Sequence, residues 1–237
     1  MFFDPVYLLF ALPGMALAMW AQWRVKSTFS HYSQVGTRRG WTGARIAQAI
    51  LDVNGIRDVR IEPVQGFLSD HYDPTSRTLR LSPDVYEGRS VAAAGVAAHE
   101  VGHAIQHAQG YAFLKMRSNL VPVLSLTSNL AMPALIGGMV LASMGQAALG
   151  QLAMAVGIVL FALMVVFQLV TLPVEFDASN RALKAIESGQ LVTADELVGA
   201  RKVLNAAALT YVAAAVTAVL QLAYFLYRSG LLGGRRN

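Results

Sequence analysis

Polar and apolar positions are segregated along this chain. Residues 118–172 contain no Lys, Arg, Asp or Glu, residues 203–227 contain none either, and residues 1–23 hold only Asp4. A hydrocarbon core of about 30 Å is crossed by about 20 helical residues, at 1.5 Å per residue. Residues 4–23 therefore predict one span. The uncharged run 118–172 predicts two: a single helix of that length would reach about 80 Å, and three spans would need about 60 residues before any turn. The turn is expected between Ser143 and Gln151, where Gly145, Gln146 and Gly150 interrupt a Leu, Val, Ala and Met pattern. A last span is predicted at 206–227, ended by Arg228 and a Gly-rich basic tail. The first span lacks a preceding Lys or Arg and is followed by Arg24 and Lys26, the reverse of a secretory signal's charge order.

The polar stretch between the first two spans has its own periodicities. Residues 42–54 begin at the capping candidate Thr42, place Ile46, Ile50 and Val53 at helical spacing, and stop at Gly55. Residues 58–64 and 77–82 alternate apolar with polar, and Asp73-Pro74-Thr75-Ser76 is a turn signal, so a small β-ribbon is expected. Residues 90–109 predict a helix from the N-cap candidate Ser90 to Gly110. The fold class is thus mainly α. A polytopic membrane protein with about four transmembrane helices would carry a small α+β lobe. Its segments are helix 1 (1–23), the lobe (24–117), a transmembrane hairpin (118–172), a helical segment (173–205), and a last span with the tail (206–237).

Composition sharpens this picture. Hydrophobic residues make up 55% and charged residues only 14%, against roughly a quarter charged in soluble domains. The formal net charge is +5. Twelve of the 19 Lys and Arg lie in residues 24–117, so the excess reports topology and no nucleic-acid partner is expected. Arg24, Lys26, Lys115 and Arg117 flank the large lobe, and Arg181, Lys184, Arg201 and Lys202 mark the second polar segment. Both segments therefore read as cytoplasmic, although Arg228, Arg235 and Arg236 pull the other way. Two crossings between residues 117 and 173 return the chain to the face it left, so both segments share one side. With no Cys, a bound metal must be held by His and carboxylate.

The helix at 90–109 carries His99-Glu100-Val101-Gly102-His103, the HExxH pattern. Residues four apart stand one above the other on a helix, so both imidazoles can reach one ion while Glu100 projects beside them as general base. A third protein ligand is needed. His107 lies eight residues beyond His99, about 12 Å along the axis, too far for one ion. Glu175 follows the third span closely, after Pro173, and opens a helix-like run; the even crossing count brings it to the face of the paired histidines. Its rival reading is a favourable charge at a helix N-terminus, and Asp177 is the alternative ligand. Ala178, Ser179 and Ala182 would let this helix approach the HExxH helix closely. His71, Tyr72 and Arg181 are candidates for stabilising a developing oxyanion.

The sequence resembles the YugP-type family of putative membrane-bound neutral zinc metallopeptidases. The resemblance rests on Gly66-Phe67-Leu68-Ser69-Asp70-His71-Tyr72-Asp73-Pro74, Thr78-Leu79-Arg80-Leu81-Ser82, the stretch Ala97 to Gln106, and Pro173-Val174-Glu175-Phe176-Asp177-Ala178-Ser179. It implies a multi-pass protein of the bacterial inner membrane with one zinc ion at His99 and His103 and catalytic Glu100. More distantly the chain looks like the HtpX and CAAX prenyl proteases, whose third ligand is the Glu of a Glu-Phe-x-Ala-Asp motif. That alignment puts Glu175 at the ligand and Ser179 where those enzymes carry Asp; Asp177 is the candidate to replace that carboxylate. The expected activity is gluzincin-like hydrolysis of polypeptides beside the bilayer, at its cytoplasmic face. The alternative is a catalytically silent membrane scaffold or chaperone-like adaptor that keeps the fold.

Overall fold

The computed structural model describes residues 4–231. Arg235 and Arg236 of the basic tail lie outside the described residues. The element order is α1 (Pro5–Ser33), α2 (Gly43–Val53), β1 (Arg60–Pro63), β2 (His71–Asp73), β3 (Thr78–Leu81), α3 (Pro83–Tyr86), α4 (Val91–Ala108), α5 (Ala112–Ser143), α6 (Ala147–Ser188) and α7 (Ala194–Arg228). Among the described residues two compact units result, one of residues up to 20, 116–171 and from 211 onward, the other of residues 21–115 and 172–210.

The first unit holds the apolar lengths of the long helices. Three of them, α1, α6 and α7, are long and apolar enough to cross a membrane, and α5 is a fourth when its two halves, bent by 49°, count as one span. Side chains that bond helical carbonyls flank that bend: the Thr127 hydroxyl donates to Leu124, and Ser128 and Asn129 both donate to the Ser125 carbonyl. Lipid supplies little hydrophobic drive between helices, so close approach depends on small residues. A Cβ on Gly150 would stand 2.7 Å from the Gly138 carbonyl oxygen. At another crossing, the Thr217 hydroxyl donates to the Gly14 carbonyl at 3.2 Å. Leu9, Leu152 and Val159 are exposed on the outside of this unit, as side chains facing acyl chains would be.

The second unit is built around α4, of whose 18 residues 14 are buried. Ser90 caps it by accepting from the Ala93 N–H, and Thr42 caps α2 by accepting from the Arg45 N–H. Small residues on α4 let α2 bring Ile46, Ala47, Ile50 and Leu51 into one apolar core with Leu79, Leu81, Val101 and Ile186. The expected ribbon is a three-stranded sheet of order β1-β3-β2. Its central strand β3 pairs in parallel with β1 (Arg60 opposite Thr78) and antiparallel with β2 (His71 opposite Arg80). This differs from a simple hairpin because β3 is paired along both edges, and its Thr78, Leu79 and Leu81 are fully buried.

One correction concerns residue 173. No helix starts there: Pro173 lies inside α6, which continues to Ser188. Proline removes one backbone donor and crowds one carbonyl, and such a defect is tolerated in membrane helices whose neighbours re-satisfy the freed groups. Glu175 therefore sits mid-helix, and its reading as a charge at a helix N-terminus is excluded.

Candidate metal centre

The helical period of α4 sets His99 and His103 one turn apart on one face, with their rings edge to face at 4.8 Å between centroids. Helix α6 meets α4 where Gly102 touches Ala178, which brings Glu175 to the same spot. The Glu175 carboxylate oxygen Oε2 lies 3.2 Å from His99 Nε2 and 3.6 Å from His103 Nε2. Glu175 is 2% exposed, and the three ligand atoms lie within 4.8 Å of one another.

This donor set fits a metal ion. Tetrahedral zinc with arms of 2.0–2.1 Å separates neighbouring ligand atoms by about 3.3 Å, close to the two separations between Glu175 and the imidazoles. The outer nitrogens of both rings are occupied as well: His103 Nδ1 is 3.0 Å from Gln106 Oε1, and His99 Nδ1 is 3.1 Å from Ser179 Oγ. Metal-binding imidazoles are commonly oriented in this way through the nitrogen that does not face the ion.

Glu100, the residue between the histidines, is 7% exposed. Burial pushes its carboxyl up to about 7; the charges of Glu175 and Asp70 act in the same direction, while His99 and the Tyr72 backbone N–H, which donates to it, oppose them. A carboxyl poised there can take up and release a proton near neutrality. Asp70 is itself raised, chiefly by burial, although its carboxylate accepts from both the N–H and the hydroxyl of Ser82. That bond anchors the start of β2 to the N-cap of α3.

The other candidates are dispersed. Asp177 does not join the ligand cluster; its Oδ2 accepts from Gln106 Nε2 at 2.8 Å and from Arg181 Nε at 2.5 Å. Arg181 also donates to Gln109 and lies over the Tyr111 ring. Tyr72 engages Glu100 through its backbone, while its hydroxyl stands 2.8 Å from His107 Nδ1; burial pushes that phenol up to about 12. His71 is exposed on β2, with Nδ1 2.8 Å from the Ser69 carbonyl. His107 is engaged with Tyr72, one turn past the cluster.

Two residues acquire contacts that sequence reasoning did not assign to them. Gln106 is fully buried and touches both His103 and α6. Ser179, whose alignment with a carboxylate position was already apparent, meets His99 with its own hydroxyl. The available signal was spacing: Gln106 is three residues past His103, and Ser179 four past Glu175, each on the same helical face as the ligand it follows.

A known family and a known relative align with this chain across nearly its whole length. Residues 7–230 match the family described as "Putative neutral zinc metallopeptidase". The chain is 47% identical over 221 residues to the "Putative membrane protease YugP" of Bacillus subtilis (strain 168), covering 93% of this chain and 95% of that protein. No solved structure matches it.

Proposed function

Because the chain belongs to the putative neutral zinc metallopeptidase family, we propose that it is a membrane-embedded, zinc-dependent endopeptidase of the gluzincin type. His99, His103 and Glu175 would hold a single zinc ion. When bound, zinc supplies Lewis acidity, polarising a carbonyl and acidifying water to a pKa of about 7. The chain's residues supply the rest. Glu100 takes a proton from the attacking water and returns it to the leaving amide nitrogen, a transfer suited to a carboxyl that burial has brought near neutrality. The Tyr72 N–H holds that carboxylate, and Gln106 and Ser179 hold the outer edges of the imidazoles.

The observation that carries this reading is the convergence of two imidazole nitrogens on one buried carboxylate oxygen, which lies 3.2 and 3.6 Å from them. Polypeptides are the substrate class suggested by the family. Similarity to a bacterial membrane protein supports a place in the bacterial inner membrane, and the distribution of Lys and Arg beside the spans supports a site on the cytoplasmic face. The test compares the parent with Glu100→Gln in detergent, by zinc content and by chelator-sensitive digestion of casein. The variant is expected to keep its zinc and lose cleavage by at least about 100-fold. Equal cleavage by both proteins removes Glu100 from the mechanism; a zinc-loaded parent inert on every polypeptide offered favours a silent scaffold.

A further inference from the structure

We propose that Gln106 is a positioning residue of the metal centre: its carboxamide fixes His103 in the tautomer that turns a lone pair on Nε2 toward Glu175, and it locks that choice to the helix carrying Glu175. The inference rests on the metal-centre reading above.

The argument is one of donors and acceptors. A primary amide has two hydrogens on its nitrogen and only lone pairs on its oxygen. Gln106 Nε2 lies 2.8 Å from the Val174 carbonyl oxygen and 2.8 Å from Asp177 Oδ2. A carbonyl can only accept, and the Asp177 oxygen is held as an acceptor by Arg181 Nε. Both amide hydrogens are therefore used on that side, and Oε1 is left facing His103 Nδ1 at 3.0 Å. Since Oε1 can only accept, Nδ1 carries the hydrogen, and in the neutral ring Nε2 then presents its lone pair to the cluster. Rotating the amide by half a turn would set oxygen against two oxygens in a fully buried position and leave those bonds unmade.

His99 is held differently. Its outer nitrogen meets the Ser179 hydroxyl, which can donate or accept and so imposes no tautomer. One ligand is thus fixed by a chain of directed bonds from Arg181 through Asp177 and Gln106, while the other remains adaptable. Val174 immediately precedes Glu175, so the same amide also sets the distance between the third ligand and the HExxH helix.

The test uses the full chain in detergent micelles, with its histidines labelled with nitrogen-15, free of metal at pH 8. Long-range proton–nitrogen spectra report the tautomer of each ring, and competition with a chelator of known affinity reports zinc binding. His103 in the parent is expected to be protonated on Nδ1. Gln106→Met keeps the volume without the amide; it should lose the tautomer preference and bind zinc about 10–100-fold more weakly. A parent His103 protonated on Nε2, or a Gln106→Met protein with parental tautomer and zinc affinity, overturns the proposal. The parent spectrum decides even if the variant does not fold. Failure of the parent to bind zinc at all overturns the metal-centre reading instead, so the two failures are distinct.

Discussion

Gly102 on α4 faces Ala178 on α6 so closely that a Cβ at residue 102 would stand 2.4 Å from the Ala178 carbonyl oxygen. Glu175 reaches the histidines because of this contact: any side chain larger than hydrogen would wedge apart the helices that supply His103 and Glu175.

Gly102→Ala sets two effects against each other. Alanine favours a helix over glycine by about 1 kcal/mol, whereas overpacking a tight contact costs about 1–3 kcal/mol. Here the obstacle is backbone oxygen, which cannot rotate away as a side-chain tip can, so the clash wins. A lower melting temperature of the metal-free protein and weaker zinc binding are expected. A rise in melting temperature with unchanged zinc affinity would show that the two helices do not meet at Gly102.

Glu100 makes the stability of the metal-free protein depend on pH. Burial raises its folded-state pKa from the ordinary 4.5 to about 7. A raised carboxyl contributes fully below pH 4.5, and its contribution is lost as pH rises through about 7. Glu100→Gln removes this dependence. The variant's melting temperature should match or trail the parent's at pH 4.5 and exceed it at pH 8, with a relative change on the order of 3 kcal/mol. If the difference between the two proteins does not move across that range, Glu100 is not buried as described.

The absence of cysteine makes the topology easy to probe. Val53, 80% exposed, lies in the lobe that carries His99 and His103, and Met144, 69% exposed, lies in the turn between α5 and α6. With a cytoplasmic lobe, an impermeant maleimide added to intact cells should label Met144→Cys and spare Val53→Cys until the cells are opened. The opposite pattern would invert the orientation and place the site outside.

What could be read from the chain alone was local. Thr42 and Ser90 announce their helices because a cap acts on N–H groups within three residues, and the HExxH spacing announces a shared face because four residues nearly complete one helical turn. Nonlocal features were hidden. Strand β2 has only three residues, His71–Asp73, too few for an alternation to register, and the parallel pairing of β1 with β3 depends on where the intervening loop returns. Pro173 looks like a boundary, yet the helix runs through it. Gln106 is an ordinary polar residue on a helix until α6 brings the Val174 carbonyl and Asp177 to its amide. Arg181, a candidate for an oxyanion, donates to Asp177 and Gln109.

The central claim is that His99, His103 and Glu175 close on one cation, and the zinc content of Glu175→Ala tests it most directly. Parent and variant are purified side by side, loaded with zinc, passed through a weak chelator and analysed for metal per chain. The parent should retain one zinc, and the variant, folded and with both histidines intact, should retain little or none. A variant holding one zinc as tightly as the parent would show that the carboxylate from α6 is not a ligand.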